Sequence, residues 1–187
     1  MKVVAFNGSP RKNGNTAFSL KVVLNELEQA GIDTELVQVG GHTLAGCRAC
    51  GGCKKNGGHC VLPDDGMNGY IDKMREADGI LIGSPVYFAN INTETKALID
   101  RAGSALGQTL AGKVGAPVVA ARRAGGTFAY AAINFFFGIK QMIVPGSTYW
   151  NLALARDIGD AQKDEEGVHT FENLGKNMAA LLKALEK

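Results

Sequence analysis

Three continuous apolar runs, Val3-Val4-Ala5-Phe6, Ile80-Leu81-Ile82 and Val118-Val119-Ala120, each lead into a stretch rich in Gly, Ser, Pro or Arg and then into apolar positions at helical spacing. That alternation predicts a parallel sheet with helices on both faces. Strands are predicted over 3–7, 33–39, 79–84, 114–121 and 141–150, and helices over 15–30, 64–77, 92–106, 127–138 and 168–186. The last helix is the clearest, because Phe171, Leu174, Met178, Leu181, Leu182 and Leu185 fall on one stripe.

Polarity within the runs orders the strands. The three apolar runs read as strands buried on both faces, so they belong in the middle of the sheet. The run Asp33-Thr34-Glu35-Leu36-Val37-Gln38-Val39 alternates, and the fifth run contains Pro145, which a central strand tolerates poorly. Both belong at edges. The order that results is 2-1-3-4-5, a flavodoxin-like α/β three-layer sandwich, whose ligand lies beyond the carboxyl ends of the strands at the switch between strands one and three.

Composition adds bounds. At 187 residues and 45% hydrophobic the chain fits one domain over 1–187, with a full core. A net charge of +2 gives no reason to expect nucleic acid or a membrane surface as partner. No apolar run approaches the ~20 residues of a membrane span, and the chain enters its first strand with no secretory signal. A cytoplasmic location with reduced thiols is the expectation.

The loop Asn7-Gly8-Ser9-Pro10-Arg11-Lys12-Asn13-Gly14-Asn15-Thr16 joins the first strand to the first helix. Donor side chains, two cations and a helix N-terminus suit a phosphate. The spacing matches neither the nucleotide-hydrolysing P-loop nor the dinucleotide fingerprint, which leaves the terminal phosphate of a mononucleotide such as FMN. Two further loops fall at the same end of the sheet. Ser84-Pro85-Val86-Tyr87-Phe88-Ala89-Asn90 offers aromatic surfaces to a planar ring, and Arg122-Arg123-Ala124-Gly125-Gly126-Thr127 offers close backbone approach and positive charge for a reduced flavin.

All four cysteines lie in Cys47-x-x-Cys50-x-x-Cys53-x₆-Cys60, inside a loop insertion at about 44–63 that is rich in Gly and holds Arg48, Lys54 and Lys55. Thiols used as small hydrophobes would sit in strands and helices, so these read as ligands. Four thiolates at this spacing can cage a [4Fe–4S] cluster, with glycines turning the backbone around it. Zinc, a disulfide and a set of thiols with no metal stand as alternatives.

With Ser84-Pro85-Val86-Tyr87-Phe88 and Ala124-Gly125-Gly126, these two motifs resemble the NADPH-dependent FMN reductase-like flavoproteins over nearly the whole chain, and among them the iron-sulfur flavoproteins. The resemblance implies that Ser9, Arg11, Asn13, Asn15 and Thr16 hold the FMN phosphate. It also implies that Pro85, Val86, Tyr87 and Phe88 flank the ring while Arg123, Ala124, Gly125 and Gly126 line its other side. Cys47, Cys50, Cys53 and Cys60 are the implied cluster ligands. A homodimer or homotetramer with the flavin near a subunit interface is implied as well.

Other candidates have plainer readings. Asp64-Asp65 reads as a helix N-cap, His42, His59 and His169 are scattered, with His59 beside Cys60 read as a solvated loop residue ahead of one that tunes a cluster, and Phe135-Phe136-Phe137 reads as core with one ring left for a partner subunit. No nucleophile or hydrolytic triad is visible, so the flavin would carry the chemistry. Two functions follow: electron transfer between FMN and a [4Fe–4S] cluster, with a small molecule or a ferredoxin-like protein as donor or acceptor, or an NAD(P)H-dependent reductase of FMN or a quinone whose cysteine loop binds no metal.

Overall fold

The structure, a computed structural model, describes residues 1–186. Strands β1 (Lys2–Asn7), β2 (Asp33–Gln38), β3 (Gly79–Tyr87), β4 (Asn90–Ile91), β5 (Val114–Ala121) and β6 (Leu152–Leu154) alternate with helices α1 (Asn15–Gln29), α2 (Met67–Glu76), α3 (Thr93–Leu106), α4 (Gly126–Ile139) and α5 (Glu165–Leu185). The parallel strands lie in the order β2-β1-β3-β5-β6, and β4 pairs antiparallel with β3. Counted without the two-residue β4, that is the expected 2-1-3-4-5.

Period-two alternation splits the sheet between two cores. Val4, Phe6, Ile80, Ile82 and Val119 point to one face and pack with α2, α3 and α4. Val3, Ala5, Leu81, Ala116 and Val118 point to the other and meet Leu20, Val23, Leu24 and Leu27 of α1 and Phe171, Leu174 and Met178 of α5. Both apolar faces are thereby covered, which is why β1, β3 and β5 carry continuous apolar runs. No helix among the described residues is long and apolar enough to cross a membrane.

Three expected boundaries are corrected. The fifth strand is not 141–150: that stretch makes one bridge, Ile143 beside Val114, and pairing resumes only at β6, beside Val119–Ala121. Pro145 has no N–H for a ladder, and the chain turns away before it returns. Helix α2 begins at Met67, because Asp64 and Asp65 accept the N–H groups of Gly66 (3.0 Å) and Met67 (3.4 Å) in a turn and the N-cap is a left-handed Gly66. Helix α5 begins earlier than expected, since Asp164 accepts the Gly167 N–H at 3.1 Å as its cap.

Candidate functional site

The carboxyl ends of β1, β3 and β5 converge, as the strand order requires. Beyond β1 the chain is fixed by short contacts: Gly8 N–H donates to Gly83 O (2.8 Å), and Gln38 Nε2 donates to the carbonyls of Ser9 (2.7 Å) and Gly40 (2.6 Å). A Cβ at Gly40 would run into the Gly8 and Ser9 carbonyl oxygens, so that position accepts only glycine. Ser9 is buried, its N–H donates to Asn7 Oδ1 (3.1 Å), and its Oγ accepts the Arg11 N–H (3.2 Å). The Ser9 hydroxyl proton is left to donate elsewhere.

Helix α1 starts from Gly14, which has no side chain to cap the first turn. The N–H groups there are free to meet an anion, with the helix dipole behind them. Ser9, Arg11, Asn15, Thr16, Pro85, Val86 and Tyr87 line one cavity of about 170 Å³, together with Ala120, Arg122, Ala155 and Arg156. Hydroxyls and cations at the helix end, with the ring-flanking residues beside them, fit a phosphate monoester on a planar group.

Of the other expected flavin residues, several lie outside this cavity, and Asn15 lines it with its amide already engaged. Asn13 is exposed and does not line this cavity. The Asn15 amide is engaged: Nδ2 donates to Asp157 O (2.9 Å), and Oδ1 accepts the N–H groups of Gly159 (3.1 Å) and Ala161 (3.3 Å). Asn15 therefore fastens the 157–161 segment over the helix start. Phe88 is fully exposed at the tip of the β3–β4 hairpin, where it and Ala89 hold positive φ angles of 48° and 62°. Arg123, Ala124, Gly125 and Gly126 line a neighbouring cavity of about 510 Å³ with Tyr149 and Trp150. Gly125, at φ 89°, packs so closely on the hairpin that a Cβ would sit 2.6 Å from Ala89 Cα.

A second site lies between the cysteine loop and α3. Cys47, Cys50, Cys53 and Cys60 all line a single cavity of about 230 Å³, and none is in a disulfide. Among the described residues no three His, Cys, Asp or Glu side chains converge on a point suited to one metal ion. The four thiols line one space, and four cysteine sulfurs are a donor set that suits an iron-sulfur group. Ala49 N–H donates to Cys47 Sγ (3.4 Å), Cys53 Sγ to Ser104 O (3.4 Å), and Arg101 Nε to Cys60 Sγ (3.4 Å). Asn68 of α2 holds the Cys60 backbone on both sides, accepting its N–H (2.7 Å) and donating to its carbonyl (3.0 Å). His59 turns away from the thiols to Asp72, at 2.7 Å.

Sequence reasoning missed Arg101, which is 2% exposed and also donates to Ala45 O (3.1 Å) and to the Asp65 carboxylate. Burial works against the Arg101 charge, but hydrogen bonds to Asp65 and Cys60 outweigh it and hold the guanidinium above its ordinary value. Burial likewise opposes the Asp65 charge, and Arg101 with the Ala45 and Met67 N–H groups keeps the carboxyl below the usual range. Arg156 was missed too. No local spacing signals either residue, since both reach their sites only through the fold.

The family model described as NADPH-dependent FMN reductase matches residues 1–157. An iron-sulfur flavoprotein of Methanocaldococcus jannaschii is 37% identical, with all of both chains covered. One of Archaeoglobus fulgidus is 33% identical over 98% of this chain and 96% of its own. Among solved structures, RosB with a bound 8-demethyl-8-formylriboflavin-5'-phosphate matches 99% of this chain and 80% of its own at TM-score 0.78 and 20% identity. A flavodoxin from the domain Archaea matches at TM-score 0.64 and 15% identity, over 98% and 99% of the two chains.

Proposed function

The chain belongs to the NADPH-dependent FMN reductase family, and from that premise we propose that it is an FMN-dependent oxidoreductase that passes electrons between FMN and an iron-sulfur cluster. The observation that carries the second cofactor is the common cavity of the four cysteines. FMN, when bound, supplies hydride and electron transfer, and the cluster supplies one-electron exchange. The chain's own residues do the rest. Ser9, Thr16 and the uncapped α1 terminus bind the phosphate, and Arg11 balances its charge from the solvent side. Pro85, Val86 and Tyr87 set the plane of the ring at the cavity mouth, where Arg122 and Arg156 favour negative charge.

Cys47, Cys50, Cys53 and Cys60 would hold the cluster, and the backbone N–H at Ala49 donates to the Cys47 sulfur. The names of the relatives support this reading, since seven curated proteins that match carry the name iron-sulfur flavoprotein. The electron partner is a small molecule or a ferredoxin-like protein. The exposed Phe128, Phe135 and Ile139 on α4 favour a homodimer or homotetramer.

A second reading is supported by the family description and by the 510 Å³ cavity beside Arg123: NAD(P)H donates to FMN, and FMN or a quinone accepts. The test is an absorption spectrum of anaerobically purified protein, with flavin, iron and acid-labile sulfide measured on one sample. Flavin with about four irons per chain supports the cluster. Flavin without iron, even after reconstitution, overturns it and leaves the reductase reading to be assayed by NAD(P)H oxidation.

A further inference from the structure

Helix α3 underlies the cysteine loop, and two of its residues one turn apart reach the thiols: Arg101 at Cys60, and Ser104 at Cys47 and Cys53. Arg101 differs from the other cations lining that cavity. Arg48 and Lys54 are exposed, whereas Arg101 is buried and its guanidinium spans Cys60, Ala45 and Asp65. A charge in an environment of effective dielectric near 20 acts about four times more strongly than one in water, and salt screens it less. Hydrogen bonds to sulfur and nearby net charge are the main protein controls on the potential of an iron-sulfur group.

We propose that Arg101 sets the reduction potential of the group held by the four cysteines, through an N–H···S bond to Cys60 and a buried positive charge that Asp65 partly offsets. This rests on the cluster reading above. Reduction adds one electron and one negative charge to the group, so the guanidinium stabilises the reduced form and raises the potential. Asp65 does the opposite, and it also holds the Arg101 fork in place. Removing each partner alone therefore moves the potential in opposite directions. A pair that only braced the loop would give the same effect from either side.

The full chain is reconstituted anaerobically with iron and sulfide as wild type, Arg101→Gln, Arg101→Lys and Asp65→Asn. Iron and sulfide are counted, and each sample is titrated with dithionite in the presence of redox dyes and followed by electron paramagnetic resonance. Arg101→Gln is expected to lower the potential and Asp65→Asn to raise it, each by about tenfold in the oxidised-to-reduced ratio at fixed poise, or ~59 mV for a one-electron couple. Arg101→Lys keeps the charge but loses the fork, and shifts downward by less. It carries the test if Arg101→Gln loses its iron. Loaded variants with wild-type potentials, shifts of one sign in Arg101→Gln and Asp65→Asn, or iron lost from every variant while wild type retains it, overturn the proposal alone. A wild type without iron overturns the cluster reading and the proposal with it.

Discussion

Asn92 Nδ2 donates to the carbonyl of Gly8 across 2.6 Å, which joins the start of α3 to the loop between β1 and α1. Asn92 is 1% exposed, and its Oδ1 accepts the Thr95 hydroxyl at 2.6 Å. Gly8 sits so close that a Cβ there would strike Thr95 Oγ1. One helix thus reaches both candidate sites, with Asn92 at its first end and Arg101 and Ser104 further along.

Asn92→Ala leaves the buried Gly8 carbonyl without this donor, and the cost is expected to be about 2 kcal/mol of stability. Urea unfolding measures it. FMN affinity should fall as well, because the loop backbone loses an anchor. Unchanged values for both would show that the contact is not needed.

Arg11→Ala and Arg156→Ala should each weaken FMN binding, by roughly tenfold to a hundredfold if each makes a charged hydrogen bond. Asn13→Ala should have a much smaller effect, since Asn13 stands outside the cavity. Quenching of flavin fluorescence on titration with apoprotein separates the three. Equal losses would mean that the loop closes further around the ligand than the cavity lining implies.

The two-residue hairpin turn places Phe88 and Ala89 at positive φ, where non-glycine residues are strained. Ala89→Gly should stabilise the protein by about 1 kcal/mol, measured by thermal or urea unfolding. A destabilisation would show that the Ala89 methyl matters more in packing than the turn geometry costs.

Glu35 on edge strand β2 pairs with Lys2 at 2.7 Å and with Lys73 of α2. Hydrogen bonds from Lys2 and then Lys73 hold its carboxyl below the usual range. A depressed folded value means that its stabilisation is complete above the unfolded glutamate value near 4.3 and is lost as pH falls through the folded one. Glu35→Gln should therefore be less stable than wild type at neutral pH, with the gap closing in acid. A gap independent of pH from 7 to 3 would exclude this role.

The sequence made the layers legible because they depend on local periodicity. Continuous apolar runs in β1, β3 and β5 required cover on both faces, and the alternation around Glu35 put β2 at an edge. The same local logic failed at β6, where Leu152-Ala153-Leu154 is too short to stand out, while the longer run before it is broken by Pro145. In Phe135-Phe136-Phe137 the expected split is found, with the last two rings buried and Phe135 75% exposed. Sites followed the same division. Ser9, Arg11 and Thr16 are near neighbours in sequence and were readable, as was the cysteine spacing. Arg101 and Arg156 arrive from distant elements, and Asp65 looked like a helix cap because nothing nearby reveals its pairing with Arg101.

That pairing orders events in time. The cysteines leave the ribosome before the helix that carries Arg101, and at about 5–20 residues per second the interval lasts for seconds. During it the thiols belong to a nascent segment with neither the guanidinium nor Ser104 to gather them. The full arrangement of thiols, guanidinium and Ser104 forms only once α3 has emerged and folded.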